Sequence, residues 1–318
     1  MLLLVFPVTM GVGLAIQTAV NSKLRTFVLS PYLSSGFSFL IAWLFLMILS
    51  LLTHQQLLIS YATLSQEPMW LWLGGLFGAI ALTGNVVLFQ KIGSLQTTVL
   101  PIMGQIAMSV VIDQFGLFNS PQNQISFSRI IGLILLVSGV ILSLGILDSN
   151  VEGVIKEEEN ELSREHVNVF YQIFAVVSGM LMAVQTAING YLGKVLASPI
   201  HASFVSFTIG IVCLVLINLL LKTKIMNLKN AVKQGISYWW IWIGGILGAL
   251  YILCSSWLVP VIGTGQVVVL ALFGQLLFSA LIEHFGLFES VRNKITRSKV
   301  IGLSIMFIGV IFIKFMKF

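Results

Sequence analysis

The sequence QTAVN at Gln17–Asn21 decides the fold, because it returns almost unchanged as QTAIN at Gln185–Asn189 in the second half of the chain. A second pair of matching stretches lies further along. DQFGLF at Asp113–Phe118 returns as EHFGLF at Glu283–Phe288, at nearly the same offset. Matches that keep their order over half of a chain indicate a tandem duplication. The two copies are therefore expected to fold alike.

The composition indicates the solvent in which these copies fold. Of 318 residues, 58% are hydrophobic and only 9% are charged, and the mean hydropathy is +1.02. Soluble domains carry about 25% charged residues, so lipid must surround most of this chain. The net charge of +6 does not indicate a nucleic-acid partner, because the basic residues are scattered through short loops.

Ten apolar segments approach the length of about 20 residues that a spanning helix needs. Such continuous runs exclude a β-barrel, whose strands alternate. Between the fifth and sixth segments, residues 148–165 hold seven of the eleven acidic residues, which predicts a solvated linker. We therefore predict a first repeat at 1–147, an acidic cytoplasmic linker at 148–168 and a second repeat at 169–318. The predicted spans are 2–22, 33–53, 70–90, 94–112, 128–147, 169–190, 201–221, 239–259, 264–282 and 299–317.

Five helices per repeat is an odd number, so consecutive copies must enter the membrane from opposite sides. The predicted fold class is an all-α integral membrane protein with ten transmembrane helices in two inverted five-helix repeats. Thirteen of the seventeen basic residues fall in the odd-numbered loops, from the first to the ninth. By the positive-inside rule these loops face the cytoplasm. This places the protein in a bacterial plasma (inner) membrane, multi-pass, with both termini extracytoplasmic.

The first segment carries the pattern G-x-G-x-x-x-Q-T-x-x-N from Gly11 to Asn21, with an echo near Gly179–Asn189. This pattern, together with the five-plus-five arrangement, resembles the YdcZ-like family of the drug/metabolite transporter superfamily. The resemblance covers both halves and stops at the linker. It implies a substrate cavity between the halves, and it implies no particular substrate.

Amide side chains are the first candidates for substrate binding. Gln17 and Asn21 share one helix face, and so do Gln185 and Asn189. In an inverted pair, equivalent faces meet near the membrane midplane, so the four amides can converge on a polar substrate. The alternative is that they hold neighbouring helices together by hydrogen bonds.

A polar stripe marks the fourth and ninth segments. Pro101, Gln105, Ser109 and Asp113 recur every four residues, and the second copy carries Gln275, Ser279 and Glu283 at matching places. Such a stripe suits the wall of a transport pathway. Asp113 and Glu283, at the helix ends, are candidate gate or coupling residues, with interfacial anchoring as the alternative.

Asn85 and Ser255 occupy equivalent places on the third and eighth segments and are further candidates for lining the cavity, although packing explains them equally well. No acidic residue lies near the centre of a predicted span, which favours a neutral or zwitterionic substrate. We find no catalytic arrangement, metal-ligand cluster or cofactor motif, so the sequence predicts neither an enzyme nor a resident cofactor.

The expected function is secondary transport of a small polar, zwitterionic or amphipathic molecule by rocking of the two halves. A proton or cation gradient is the candidate energy source, since the chain has no nucleotide-binding motif. Two alternatives stay open. An ion or solute channel also uses antiparallel halves, although no charged ring or carbonyl filter is visible. A non-transporting membrane accessory protein is the other.

Overall fold

The computed structural model describes residues 2–143, 165–290, 292 and 294–315. These residues form helices and connecting turns, and none of them lies in a β-strand. Short 3₁₀ turns join several of the helices. The α-helices are α1 (Leu2–Val28), α2 (Pro31–Leu52), α3 (Tyr61–Gln66), α4 (Gly74–Phe115), α5 (Phe127–Ser143), α6 (Glu165–Val195), α7 (Pro199–Leu220), α8 (Leu228–Val232), α9 (Gly244–Ile262), α10 (Thr264–Phe285) and α11 (Arg297–Phe315).

Seven helical stretches of the described residues are long and apolar enough to cross a membrane, and two shorter apolar helices lie at Met69–Gly84 and Phe127–Ser143. The protein is therefore an all-helical, multi-pass membrane protein, and the number ten stays a prediction. Most of the predicted linker at 148–168 lies outside the described residues. Its last residues belong to α6, which begins at Glu165.

The duplicated sequence produces duplicated local structure. Ser30 and Ser198 each precede a proline and cap the following helix, and each side-chain oxygen accepts a backbone N–H bond of 3.2 Å. Such caps satisfy donors that the first helical turn leaves unpaired. Gly116 and Gly286 end α4 and α10 in the left-handed conformation, with φ of 62° and 65°. Glycine adopts this conformation without a steric penalty.

α4 is helical over 42 residues, which would measure about 63 Å if it were straight. Nevertheless the rings of Trp70 and Phe118, just beyond its two ends, lie 5.4 Å apart. The helix bends back between Gly84 and Gln96, because both of these residues contact the N-terminal part of α6. α4 therefore has two antiparallel legs, matching the predicted segments 70–90 and 94–112, although the loop predicted between them is helical.

The second half makes the same hairpin with a true break. Gly263 separates α9 from α10 and has a φ of 87°, which a larger residue would strain. The rings of Trp240 and Phe288 at the far ends of this hairpin lie 5.6 Å apart. The place equivalent to Gly263 is Gly93, which lies inside continuous helix. The two halves thus share a hairpin and differ at its turn.

The main helix contacts that the first half makes with the second half have equivalents that the second half makes with the first. α1 packs against α9 and α10 of the second half, and α6 packs against both legs of α4. Glycines allow the backbones to touch: Gly11 abuts the Ala271 carbonyl, and Gly179 abuts the Pro101 carbonyl. Small residues allow such close approach between membrane helices. α2 also packs on α7, and α5 on α11. The interface between the halves is consequently two-fold in character.

Contacts within each half are not matched. In the second half α6 packs along α9, where Gly190 lies against Val259 and Gly193 against Ser256. In the first half, α1 and α4 are not a packed pair among the described residues. The first half is therefore the more open of the two.

Candidate functional site

The four candidate amides each lie on a glycine of the opposite half. Gln17 and Asn21 on α1 contact Gly248 and Gly244 on α9. A Cβ added at Gly248 would lie only 2.6 Å from Nε2 of Gln17. The two glycines of α9 therefore leave a recess in the helix surface, and the two amides fill it.

The second half repeats this contact. Gln185 and Asn189 on α6 contact Gly78 and Gly74 on the first leg of α4, and a Cβ added at Gly78 would lie 2.7 Å from Nε2 of Gln185. The amides therefore occupy two separate, equivalent contacts between the halves.

Burial distinguishes the two asparagines. Asn189 is 0% exposed, and neither its Oδ1 nor its Nδ2 has a hydrogen-bond partner among the described residues. Asn21 is half-buried, and only its Oδ1 is both buried and unpartnered there. A buried polar atom without a partner costs about 1–3 kcal/mol. Asn189 is thus a fully buried amide without a hydrogen-bond partner among the described residues, and Asn21 is its more accessible counterpart.

The neighbouring face of α1 is also more open than its equivalent on α6. Thr186 is buried, and its hydroxyl donates to the Met182 carbonyl at 2.9 Å. The equivalent Thr18 is exposed, and so is Ser22, which takes the place of the close-packed Gly190. The Thr18 hydroxyl donates to the Leu14 carbonyl at 2.8 Å. The face of α1 beside Gln17 and Asn21 therefore carries two exposed hydroxyls, those of Thr18 and Ser22.

The remaining predicted site residues are less clearly placed. Gln105 and Gln275 are half-buried and follow Gly104 and Gly274, whose backbones touch the opposite half. Ser255 is fully buried, and its hydroxyl donates to its own helix, to the Ile252 carbonyl at 2.9 Å. The side chain of Asn85 lies outside the described part of the chain.

Asp113 is the least exposed ionisable residue that the structure describes. It is 0% exposed and pairs at 2.7 Å with Arg129 of α5. Its other oxygen accepts the backbone N–H of Gly265 at 3.1 Å, in the first turn of α10. A carboxylate is stabilised at a helix N-terminus, where unpaired N–H groups point outward. Asp113 therefore joins the first half to the hairpin turn of the second.

Further contacts complete this junction. The Ser120 and Thr264 hydroxyls bond at 2.8 Å, and the backbone N–H of Asn123 donates to the Asp113 carbonyl at 2.8 Å. A Cβ on Gly265 would lie 2.7 Å from the Asp113 carboxylate. We refer to Asp113, Arg129 and the 263–265 turn as the first latch. The Asp113 side chain of this latch is fully buried.

The repeat partner of this ion pair is more open. Lys299 bonds Glu283 at 2.6 Å, but the Glu283 side chain is 43% exposed. On the same face, Lys23 at the end of α1 bonds Glu289, and this hydrogen bond lowers the pKa of the Glu289 carboxyl. We refer to Glu283 and Lys299 as the second latch. The two latches are equivalent in sequence and differ in burial.

Sequence reasoning identified Asp113 and Glu283 but missed their partners. Arg129 follows Asp113 at the same spacing at which Lys299 follows Glu283, so the two bases share the repeat offset of the two acids. This repeated spacing was the available signal. The contact with the 263–265 turn has no such signal, because it depends on how the halves pack.

These features define a class: a helical membrane protein of two repeated halves, with buried amides where the halves meet and paired charges at its ends. The profile of one protein family, described as "Putative inner membrane exporter, YdcZ", matches residues 2–142 and 170–312. The chain belongs to this family, whose members fall among the drug/metabolite transporters. It is accordingly a membrane transporter of the inner membrane.

Other comparisons add the fold alone. No curated protein sequence matches the chain. One solved structure, described only as the crystal structure of a protein, has a TM-score of 0.66 and 13% identity, covering 97% of this chain and 96% of that one. The overall arrangement of helices is therefore found in a solved protein of very different sequence.

Proposed function

We propose that this protein is a secondary transporter of a small polar or zwitterionic molecule, working by alternating access between two inverted five-helix halves. The observation that carries the proposal is the difference between the halves: α6 packs on α9, whereas α1 and α4 are not packed together among the described residues. An inverted repeat whose halves adopt different conformations has one end closed and the other open.

Ten spans follow if each hairpin crosses the membrane twice. The ring pairs Trp70–Phe118 and Trp240–Phe288 at the open ends of the hairpins support this count. One face of the molecule then carries the first latch and the ends of α6 and α9, and the opposite face carries the second latch and the end of α1.

The charge bias of the loops puts the second-latch face in the cytoplasm, with both termini outside and the linker inside. An impermeant reagent that readily labelled a cysteine inserted near Asn160 in intact cells would contradict this orientation.

Pseudo-symmetry separates fixed contacts from moving ones. If the halves exchange conformations, contacts that are equal in both halves persist, and contacts that differ must change. The amide–glycine contacts belong to the first group. The packing of α6 on α9 and the two latches belong to the second. The amides therefore serve as the pivot, and the clefts beside them open in turn.

The substrate site lies beside the pivot. Asn21 and Gln17 flank the open cleft, with the hydroxyls of Thr18 and Ser22 on the same helix. Asn189 and Gln185 take over when the other cleft opens. Amides and hydroxyls both donate and accept hydrogen bonds, which suits a neutral or zwitterionic ligand. The outer members of the proposed site are Gln105, Gln275, Asn85 and Ser255.

The two latches are the proposed gates. In the described state the first latch holds the α9–α10 turn closed through Asp113. In the alternate state Glu283 would dock equivalently on the turn of α4 near Gly93, which would then break as Gly263 does. Protonation of these carboxylates is a route by which a proton gradient could drive the cycle.

Replacing Asn21 with leucine tests the site. A lost hydrogen bond to substrate is expected to weaken binding by about 1–2 kcal/mol, whereas interhelical hydrogen bonds in membranes average about 0.6 kcal/mol in stability. Ligands found by a thermal-shift screen supply the affinity assay, and Asn189→Leu is the matched variant. If both variants bind normally and melt early, the amides are structural only.

Transport kinetics separate the carrier from a channel. Purified protein in liposomes is expected to give saturable uptake and counterflow of the ligand. Unitary currents across a planar bilayer would instead support a pore.

A further inference from the structure

An apolar groove runs between α10 and α11 on the outer surface of the second half. Its volume is about 540 Å³, and it is open along the outer surface of the protein. Its walls include Phe273, Leu277, Leu303 and Phe307, and of its described wall residues only Ser304 is polar. The outer rim is exposed, with Phe307 52% and Leu277 37% accessible. The groove suits a hydrocarbon chain.

Positive charge surrounds one end of this groove. Ile295 and Val300 line that end, and three exposed bases, Arg292, Lys294 and Arg297, lie in the same segment. The nearby acids are engaged elsewhere, since Glu283 pairs with Lys299 and Glu289 with Lys23. Among the described residues the charge of the three bases is therefore uncompensated.

The equivalent loop of the first half lacks these positive charges. The two loops nevertheless share a hydrogen bond. Gln122 donates to the Gln114 carbonyl at 3.1 Å, and the equivalent Arg292 donates to the His284 carbonyl at 3.2 Å. The residues equivalent to the three bases are Gln122, Gln124 and Phe127. The fold of the loop thus does not require the positive charges.

We propose that the groove and the three bases form a binding site for an anionic phospholipid. One acyl chain lies in the groove between α10 and α11, and the headgroup phosphate meets Arg292, Lys294 and Arg297. Basic pockets between membrane helices bind anionic headgroups in this way, with each base near the surface contributing a measurable attraction. The site lies on the outer surface, separate from the cleft between the halves.

Native mass spectrometry of the full chain, with phosphatidylglycerol and phosphatidylcholine of equal chain length, tests the site. Phosphatidylglycerol is expected to bind more tightly. Neutralising the three bases together (Arg292→Gln, Lys294→Gln and Arg297→Gln) should weaken its binding roughly 100-fold, the combined effect of three bases. The control neutralises three exposed bases between α7 and α9, by Lys224→Gln, Lys229→Gln and Lys233→Gln, and should retain binding.

A second variant and a competitor distinguish the lipid from a free anion. Ser304→Trp fills the groove and should weaken the binding of the phospholipid. Glycerol phosphate has no acyl chain and should compete poorly. Equal binding of the two phospholipids, an equal loss in the control variant, unchanged binding in Ser304→Trp, or full competition by glycerol phosphate would each overturn the proposal.

Discussion

Replacing Arg129 with methionine is expected to lower the free energy of unfolding by about 3–5 kcal/mol, because it leaves a buried carboxylate without its cation. Asp113 and Arg129 have side-chain exposures of 0% and 8%. The remaining backbone bond from Gly265 cannot neutralise the charge. Denaturant unfolding of the purified variant in detergent measures the loss.

The second latch provides the matched control. Lys299→Met removes the equivalent cation, but its partner Glu283 is 43% exposed and can be hydrated. An ion pair of this kind contributes about 0–1 kcal/mol. Adding Asp113→Asn to Arg129→Met should recover much of the lost stability. Equal losses for Arg129→Met and Lys299→Met would contradict the difference in burial on which the latch assignment depends.

Replacing Gly190 with valine is expected to open the closed end of the molecule. A Cβ at this position collides with the Val259 side chain of α9. Overpacking costs about 1–3 kcal/mol, and here it penalises only the conformation in which α6 packs on α9. The equilibrium between the two states should therefore shift about 5–150-fold.

Alkylation of a cysteine at Ser256 measures this shift, in a background from which Cys213 and Cys254 have been removed. Ser256 is 1% exposed against α6, so opening should raise its rate of reaction. Ser22→Val is the control, because Ser22 is the equivalent residue on α1 and is exposed. It penalises the opposite state and should not raise the rate. Equal rates in the two variants would exclude the proposed movement.

The sequence predicted the helical fold because its signals are local. Apolar length indicated the spans. Two of the predicted spans began at residues 33 and 201, and the structure begins these helices at Pro31 and Pro199, after the caps Ser30 and Ser198. The repeat indicated the equivalence of the halves. The bend of α4 was predicted as a loop, because Lys91 and Gly93 interrupt the apolar run, yet the backbone there stays helical.

The candidate site was predicted only in part, because its arrangement depends on packing between the halves. Gln17 and Asn21 were recognised from their spacing, but the sequence did not pair them with Gly248 and Gly244 of the opposite half. The openness of Ser22 against the burial of Gly190 is a difference of conformation. The motifs that the two repeats share do not indicate which of the two packs more tightly in a given conformation.

Distances measured at both ends of the same molecule test alternating access most directly. Spin labels at Lys194 and Val261 report on the end that is closed here, and labels at Thr26 and Lys91 report on the equivalent opposite end. All four residues are exposed. Double electron–electron resonance in lipid should give two distances for each pair, with complementary populations. The fraction of molecules with a short Lys194–Val261 distance should equal the fraction with a long Thr26–Lys91 distance, and Gly190→Val should shift both together. Two ends that open at the same time, or that vary independently, would contradict the account.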